Sequence, residues 1–181
     1  MNVSFLNPEL GKWDLLDGAQ LPEALILPFF SDERPLRGAA GLCDFRLCGR
    51  LSRMLQGGKI GGAFGETTLY PPVAAGRARL PFARLVLFGL GPASELSEAR
   101  AREAGLKLGR IAARLKLGRY AVVLPGRSTG RLSARRALEL YLEAQPKEPE
   151  ELGAPDGAKP AELVVIESPA GQKEAADLAR R

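Results

Sequence analysis

Four short apolar runs constrain the fold of this chain: ALILPFF at 24–30, FARLVLF at 82–88, YAVVL at 120–124 and ELVVIE at 162–167. Continuous apolar runs of strand length suit strands covered on both faces. Between them, apolar residues return at steps of three and four. From Gly41 to Gln56 these are Leu42, Phe45, Cys48, Leu51, Met54 and Leu55, with Arg46, Arg50 and Arg53 largely between them. That spacing predicts one amphipathic helix, stopped by Gly57-Gly58. A second helix is predicted from Leu96 to Leu115, with Leu96, Ala99, Ala104, Leu108, Ile111, Ala112 and Leu115 inward. A third runs from Ser133 to Ala144, with Ser133 as its N-cap. Strands alternating with helices imply an α/β fold, a largely parallel or mixed sheet with helices on both faces.

Weaker signals complete the outline. Residues 2–6 (NVSFL) and 64–70 are further strand candidates, the latter carrying Thr67 and Thr68 and closed by Pro71-Pro72. Residues 145–160 are polar and rich in Pro and Gly, which predicts a surface loop. The tail from Gln172 to Arg181 is weakly helical and expected to fray.

With 181 residues, 45% of them hydrophobic, the chain can bury one core, so residues 1–181 are expected to form a single domain. No run approaches the ~18 apolar residues of a membrane span. The N-terminus lacks the pattern of a signal peptide, so the expected location is the cytoplasm. Cys43 and Cys48 stand five positions apart on the one predicted helix, about 140° from each other at 100° per residue. They are expected to be two small buried thiols, neither bridged nor joined by a His in a zinc site.

Chemistry is harder to find. The chain has no His, which removes the usual general base for a Ser or Cys nucleophile. Ser128, in PGRSTG, sits on a strand-to-helix turn but lacks the spacing of a nucleophile elbow. The Asp residues at 14, 17, 32, 44, 156 and 177 are scattered. No catalytic, metal-binding or cofactor residue is therefore expected. Two loops have the position of anion sites. Gly89-Leu90-Gly91-Pro92 and Gly126-Arg127-Ser128-Thr129-Gly130-Arg131 each follow a strand and precede a helix. The competing account is that their glycines permit tight turns and close approach. A net charge of +5 invites a nucleic-acid reading through Arg100, Arg110, Arg114 and Arg131, although the Arg residues are spread along the chain and form no block.

The order of pieces carries a resemblance. After the first buried strand come "PL.G..G..D..L.G.L" (Pro35 to Leu51), a Gly-rich turn, "GET.L" (Gly65 to Leu69), and a strand ending in Gly89-Leu90-Gly91. This resembles the N-terminal domain of the M17 leucyl aminopeptidases, most specifically between residues 35 and 91. The resemblance implies a three-layer, macro-domain-like α/β/α sandwich. It also implies that the two-metal peptidase chemistry belongs to a second domain, which would begin where these 181 residues end. The stretch is then expected to be a non-catalytic domain acting in assembly, interaction or regulation. Its partner would be a second copy or a separately encoded aminopeptidase catalytic domain, with no membrane involved. Macro domains bind ADP-ribose through two Gly-rich loops in corresponding places, which makes Asp32 a loose counterpart of their adenine-binding Asp. Gly38 and Gly41 are read as helix-entry residues, Asp44 as a first-turn complement to the helix dipole, and Glu66 as the partner of an Arg.

Overall fold

The apolar runs assemble into one six-stranded sheet in a computed structural model that describes residues 2–18, 21–70, 80–145 and 161–180. The strands are β1 (Val3–Leu6), β2 (Ala24–Phe29), β3 (Thr67–Tyr70), β4 (Arg84–Gly89), β5 (Arg119–Val122) and β6 (Glu162–Ile166). Their order is β1-β6-β5-β2-β4-β3. All neighbours are parallel except β3, which runs antiparallel to β4 along one edge. The helices are α1 (Leu10–Trp13), α2 (Gly38–Arg46), α3 (Arg50–Gln56), α4 (Glu98–Arg114), α5 (Ala134–Ala144) and α6 (Pro169–Ala175).

The period-2 alternation of strand side chains divides the core into two layers. Ile26, Val86, Phe88, Val122 and Val165 face α4 and α5. Leu25, Leu27, Leu85, Ala121 and Val164 face α1, α2 and α3. The result is a three-layer α/β/α sandwich, the expected class. Ser97 and Ser133 cap α4 and α5 by accepting from Arg100 N and Arg136 N at 3.2 and 3.1 Å. Between β5 and α5 the Tyr120 and Tyr141 hydroxyls bond to each other at 2.8 Å. That pair satisfies two buried polar groups which would each cost ~1–3 kcal/mol unpaired. Among the described residues no helix is long and apolar enough to cross a membrane.

The predicted helix over 41–56 is in fact two. α2 starts earlier, at Gly38, and stops at Arg46; Cys48 and Gly49 then take left-handed backbone angles, φ 54 and φ 75. The corner is held by Asp44, whose carboxylate accepts from Ser52 N at 3.1 Å and Ser52 Oγ at 2.5 Å. Asp44 therefore caps the second helix instead of complementing the start of the first. The break also re-aims the predicted apolar stripe: Cys43 is buried, Cys48 is exposed, and Phe45 is 75% exposed.

Three smaller expectations change as well. The strand expected from Phe64 begins at Thr67, because residues 61–66 form a turn. On α4 the buried set includes Ala101, Gly105 and Gly109, while Ala99 is exposed. The small residues let α5 approach closely, with a Cβ at Gly105 falling 3.3 Å from Tyr141 Cα. The tail is docked, not frayed, for Ala175 and Leu178 are buried against the α5 layer. Pro71-Pro72 and, apart from Gln145, the expected surface loop at 145–160 lie outside the described residues.

The two cysteines give a direct check on the corner. Burial, with the nearby Asp44 charge, pushes the Cys43 thiol far above its ordinary range and keeps it protonated. Thiol titration of the folded protein is expected to label Cys48 promptly and Cys43 only after unfolding. Two fast-reacting thiols in the native state would contradict the split helix.

Candidate functional site

Parallel sheets present their binding crevices at the carboxyl ends of the strands, and here β2, β5 and β6 end in a shared pair of hollows. One, of about 150 Å³, is lined by residues that include Pro28, Val123, Arg127, Ser128 and Glu167. The other, about 180 Å³, holds Asp32, Arg34 and Thr129 and shares Glu33, Arg37 and Ser128 with the first. Each is smaller than the ~300–1,000 Å³ of a typical small-molecule site.

Both predicted anion loops border this end of the sheet, and most of their donors are already committed. Gly89 N donates to Glu66 O, Leu90 N to Phe29 O, and Gly91 N to Gly62 O, at 2.8–2.9 Å. Ala93 N donates to Asp32 Oδ1 at 2.9 Å, and Pro92 has no N–H. Gly89–Ala93 thus offers no backbone donor to a phosphate. The glycine at 89 instead admits the crossing of residues 62–63, since a Cβ there would collide with the Ala63 carbonyl. Asp32, the loose adenine candidate, is the acceptor that closes this loop.

In the second loop, Arg127 N, Thr129 N and Gly130 N donate to backbone carbonyls and Arg131 N to Thr129 Oγ1. Gly126 and Ser128 keep N–H groups with no acceptor among the described residues. Gly126 and Gly130 bracket the turn with left-handed φ values of 85 and 69. Ser128 Oγ lies 3.4 Å from Glu33 Oε2, and Glu33 is otherwise held by Arg37 N at 2.9 Å.

The Arg127 guanidinium is consumed in the protein. Its Nε and Nη2 donate to Glu167 at 2.6 and 3.1 Å, and its Nη1 to Leu132 O at 2.6 Å. Glu167, only 7% exposed, also accepts from Ser168 N and Oγ. Burial pushes its carboxyl up, but Arg127 and Ser168 together outweigh burial and hold it below the usual carboxylate range.

Sequence reasoning missed a further anion arrangement. Glu66, expected to meet an Arg, turns its carboxylate onto the backbone N–H groups of Gly61, Gly62 and Ala63 at 2.8–3.1 Å. Successive N–H groups of this kind form an anion-binding concavity, and here the chain supplies the anion itself. The signal was the Gly-Gly pair placed four residues before an acid. The four candidate nucleic-acid residues do not act together: Arg100 meets Glu95 at 2.9 Å and covers the Phe64 ring, and Arg131 donates to Ala93 O. Arg110 and Arg114 share a groove elsewhere on α4. Among the described residues no three His, Cys, Asp or Glu side chains gather where they could hold a metal.

A buried ion pair with a lowered carboxyl ties stability to pH. The Glu167 contribution is present above the ordinary Glu range near 4.3 and fades as pH falls through the lowered folded value. Glu167→Gln is expected to lose ~2 kcal/mol at pH 7, with the difference shrinking towards pH 2. Urea unfolding followed by the fluorescence of Trp13 measures it, and an equal loss at both pH values would contradict the pairing.

The profile of the cytosol aminopeptidase family, N-terminal domain, matches residues 26–145. No curated protein sequence matches the chain significantly. Among solved structures, a tomato leucine aminopeptidase variant aligns at TM-score 0.61 and 16% identity over 99% of this chain and 35% of that enzyme. The Trypanosoma brucei macrodomain in complex with ADP aligns at TM-score 0.65 and 13% identity over 97% of this chain and 68% of that one. The macrodomain of Thermus aquaticus DarG does so at 0.58 and 15%, over 91% and 97%. At these identities the structural likenesses speak for the fold, and the chain spans about a third of the tomato enzyme's length. The profile match covers well over half of the sequence, and on that ground the chain belongs to the cytosol aminopeptidase family, as its N-terminal, macrodomain-like domain.

Proposed function

We propose that these residues form a non-catalytic module that works in the cytoplasm through contacts with other protein chains, in assembly or regulation of an aminopeptidase. The partner is a second copy or a chain bearing the two-metal domain that the family resemblance implies. The observation that carries this reading is the match to the N-terminal domain of the family. The chemistry of the crevice supports it. The donors of Gly89–Ala93, the guanidinium of Arg127 and the nest at Gly61–Ala63 are occupied by the chain's own acceptors. Free thiols at Cys43 and Cys48 suit a reducing compartment. Exposed apolar side chains lie elsewhere, with Leu15 at 74% and Phe45 at 75% flanking the Asp14–Arg46 ion pair. The 181-residue protein is expected to give no turnover of a leucyl anilide with Mn²⁺ or Zn²⁺ present. Metal-dependent cleavage by pure protein would overturn the reading.

A second reading is favoured by one observation. The N–H groups of Gly126 and Ser128 have no acceptor among the described residues, Ser128 lines both hollows, and the trypanosome macrodomain is described in complex with ADP. A diphosphate-containing ligand such as ADP-ribose would meet Arg34 and Arg37 there, but also the carboxylates of Glu33 and Glu167. Under the assembly reading, calorimetric titration with ADP-ribose is expected to give no saturable heat up to millimolar concentrations. Binding that is lost in Ser128→Pro, which removes one of those donors, would favour the ligand instead.

A further inference from the structure

We propose that the groove between α4 and the edge strand β3 receives an extended acidic segment of a partner protein by strand addition. This rests on the interaction reading above and names its surface. The groove, about 220 Å³, is lined by Gly65, Thr67, Phe88, Lys107, Arg110, Ile111 and Arg114. Three cations stand on one side and no carboxylate lines it among the described residues.

That imbalance is local. Arg102, Arg119, Arg127, Arg135 and Arg136 each meet a carboxylate, of Glu143, Glu162, Glu167, Asp177 and Glu98 respectively. Arg110 and Arg114, both exposed, have no such partner among the described residues. Lys107 touches Glu103 at 3.5 Å, an exposed contact that contributes little. Like charges three and four residues apart on a helix oppose each other by ~0.2–0.5 kcal/mol per pair, so an anionic partner relieves a cost that the isolated domain carries.

The facing wall is a sheet edge. β3 pairs with β4 on one side, and no described strand occupies the other. Such an edge presents a row of backbone donors and acceptors to an incoming strand. Thr67 and Leu69 pair with Phe88 and Val86, residues of the α4-side core, so both point towards α4. Leu69 is 51% exposed there. An added strand repeats its α4-facing side chains every ~6.8 Å. Lys107 to Arg114 spans ~10 Å of helix, which fits carboxylates at two alternate strand positions beside an apolar residue on Leu69.

A nucleic acid would neutralise the same cations but leave the β3 edge unused. Phe88 lines the groove but is buried, and the neighbouring Phe64 ring is already covered by Arg100 at 4.2 Å and Lys107 at 5.7 Å, so neither offers a stacking face. The chemistry therefore selects a polypeptide.

The test titrates ¹⁵N-labelled protein with a seven-residue peptide of alternating Glu and Val, its Gln counterpart, and single-stranded and duplex oligonucleotides. The expected result is amide shifts confined to Thr67–Tyr70 and Lys107–Arg114, caused by the Glu peptide. Affinity falls at least tenfold in the Arg110→Glu, Arg114→Glu double variant, with undisturbed spectral dispersion reporting its fold. If the double variant does not fold, the Gln peptide decides, because it must bind at least tenfold more weakly. Absent or scattered shifts, equal binding of the Gln peptide, unchanged affinity in a folded variant, or tighter oligonucleotide binding through the same amides overturns the proposal. A failure here with no leucyl turnover leaves the non-catalytic reading standing, whereas turnover removes that reading whatever the groove binds.

Discussion

Covering both faces of a parallel sheet leaves the chain with an accounting problem at the strand ends. Every backbone N–H emerging from β2 and β4 must find an acceptor where water is partly excluded. In this domain the acceptors come from the end of β2 and from nearby loops. Phe29 O, Gly62 O, Glu66 O and the Asp32 carboxylate close the turn after β4, and the Glu66 side chain closes the turn that crosses it. The crossing depends on the missing Cβ of Gly89 and equally on that of Gly62, whose φ is +82 and whose Cβ would meet the Ser31 backbone. An open cradle of donors would favour a phosphate; a cradle filled from within favours rigidity.

Much of the architecture was legible because it follows from hydrophobic periodicity. The central runs at β2, β4, β5 and β6 are apolar on both faces, and sheet burial is what such runs require. The Ser133 cap lies where it was expected, whereas α4 starts at Glu98 behind a Ser97 cap and not at Leu96. The split between α2 and α3 was hidden for a physical reason. Periodicity continues through Leu47 and Leu51, both buried, while the break resides in the backbone angles of Cys48 and Gly49. Gly49 hinted at it, but a single glycine is tolerated inside a helix. Asp44 looked like a dipole residue because the helix start was set at Gly41, three residues late.

The crevice was less legible than the sheet. Gly-rich turns after strands have the same sequence whether their donors point at a ligand or at the next loop, and long-range partners decide between the two. Asp32 with Ala93, separated by 61 residues, and Arg127 with Glu167, separated by 40, are pairings that local spacing cannot report. The same applies to the basic groove. The cations at 107, 110 and 114 share one helical face by spacing alone, but the neighbouring strand edge emerges only from the topology.

The pairing of β1 with β6 has a bearing on how the domain is made. Val3 lies opposite Leu163, and among the described strands β6 is the sole neighbour β1 has. A ribosome adding ~5–20 residues each second would take roughly 8–30 s to synthesise the intervening chain. For that interval the first strand is a strand without a sheet, dependent on shielding until its neighbour arrives. The described sheet is completed by joining its earliest-made strand to its latest.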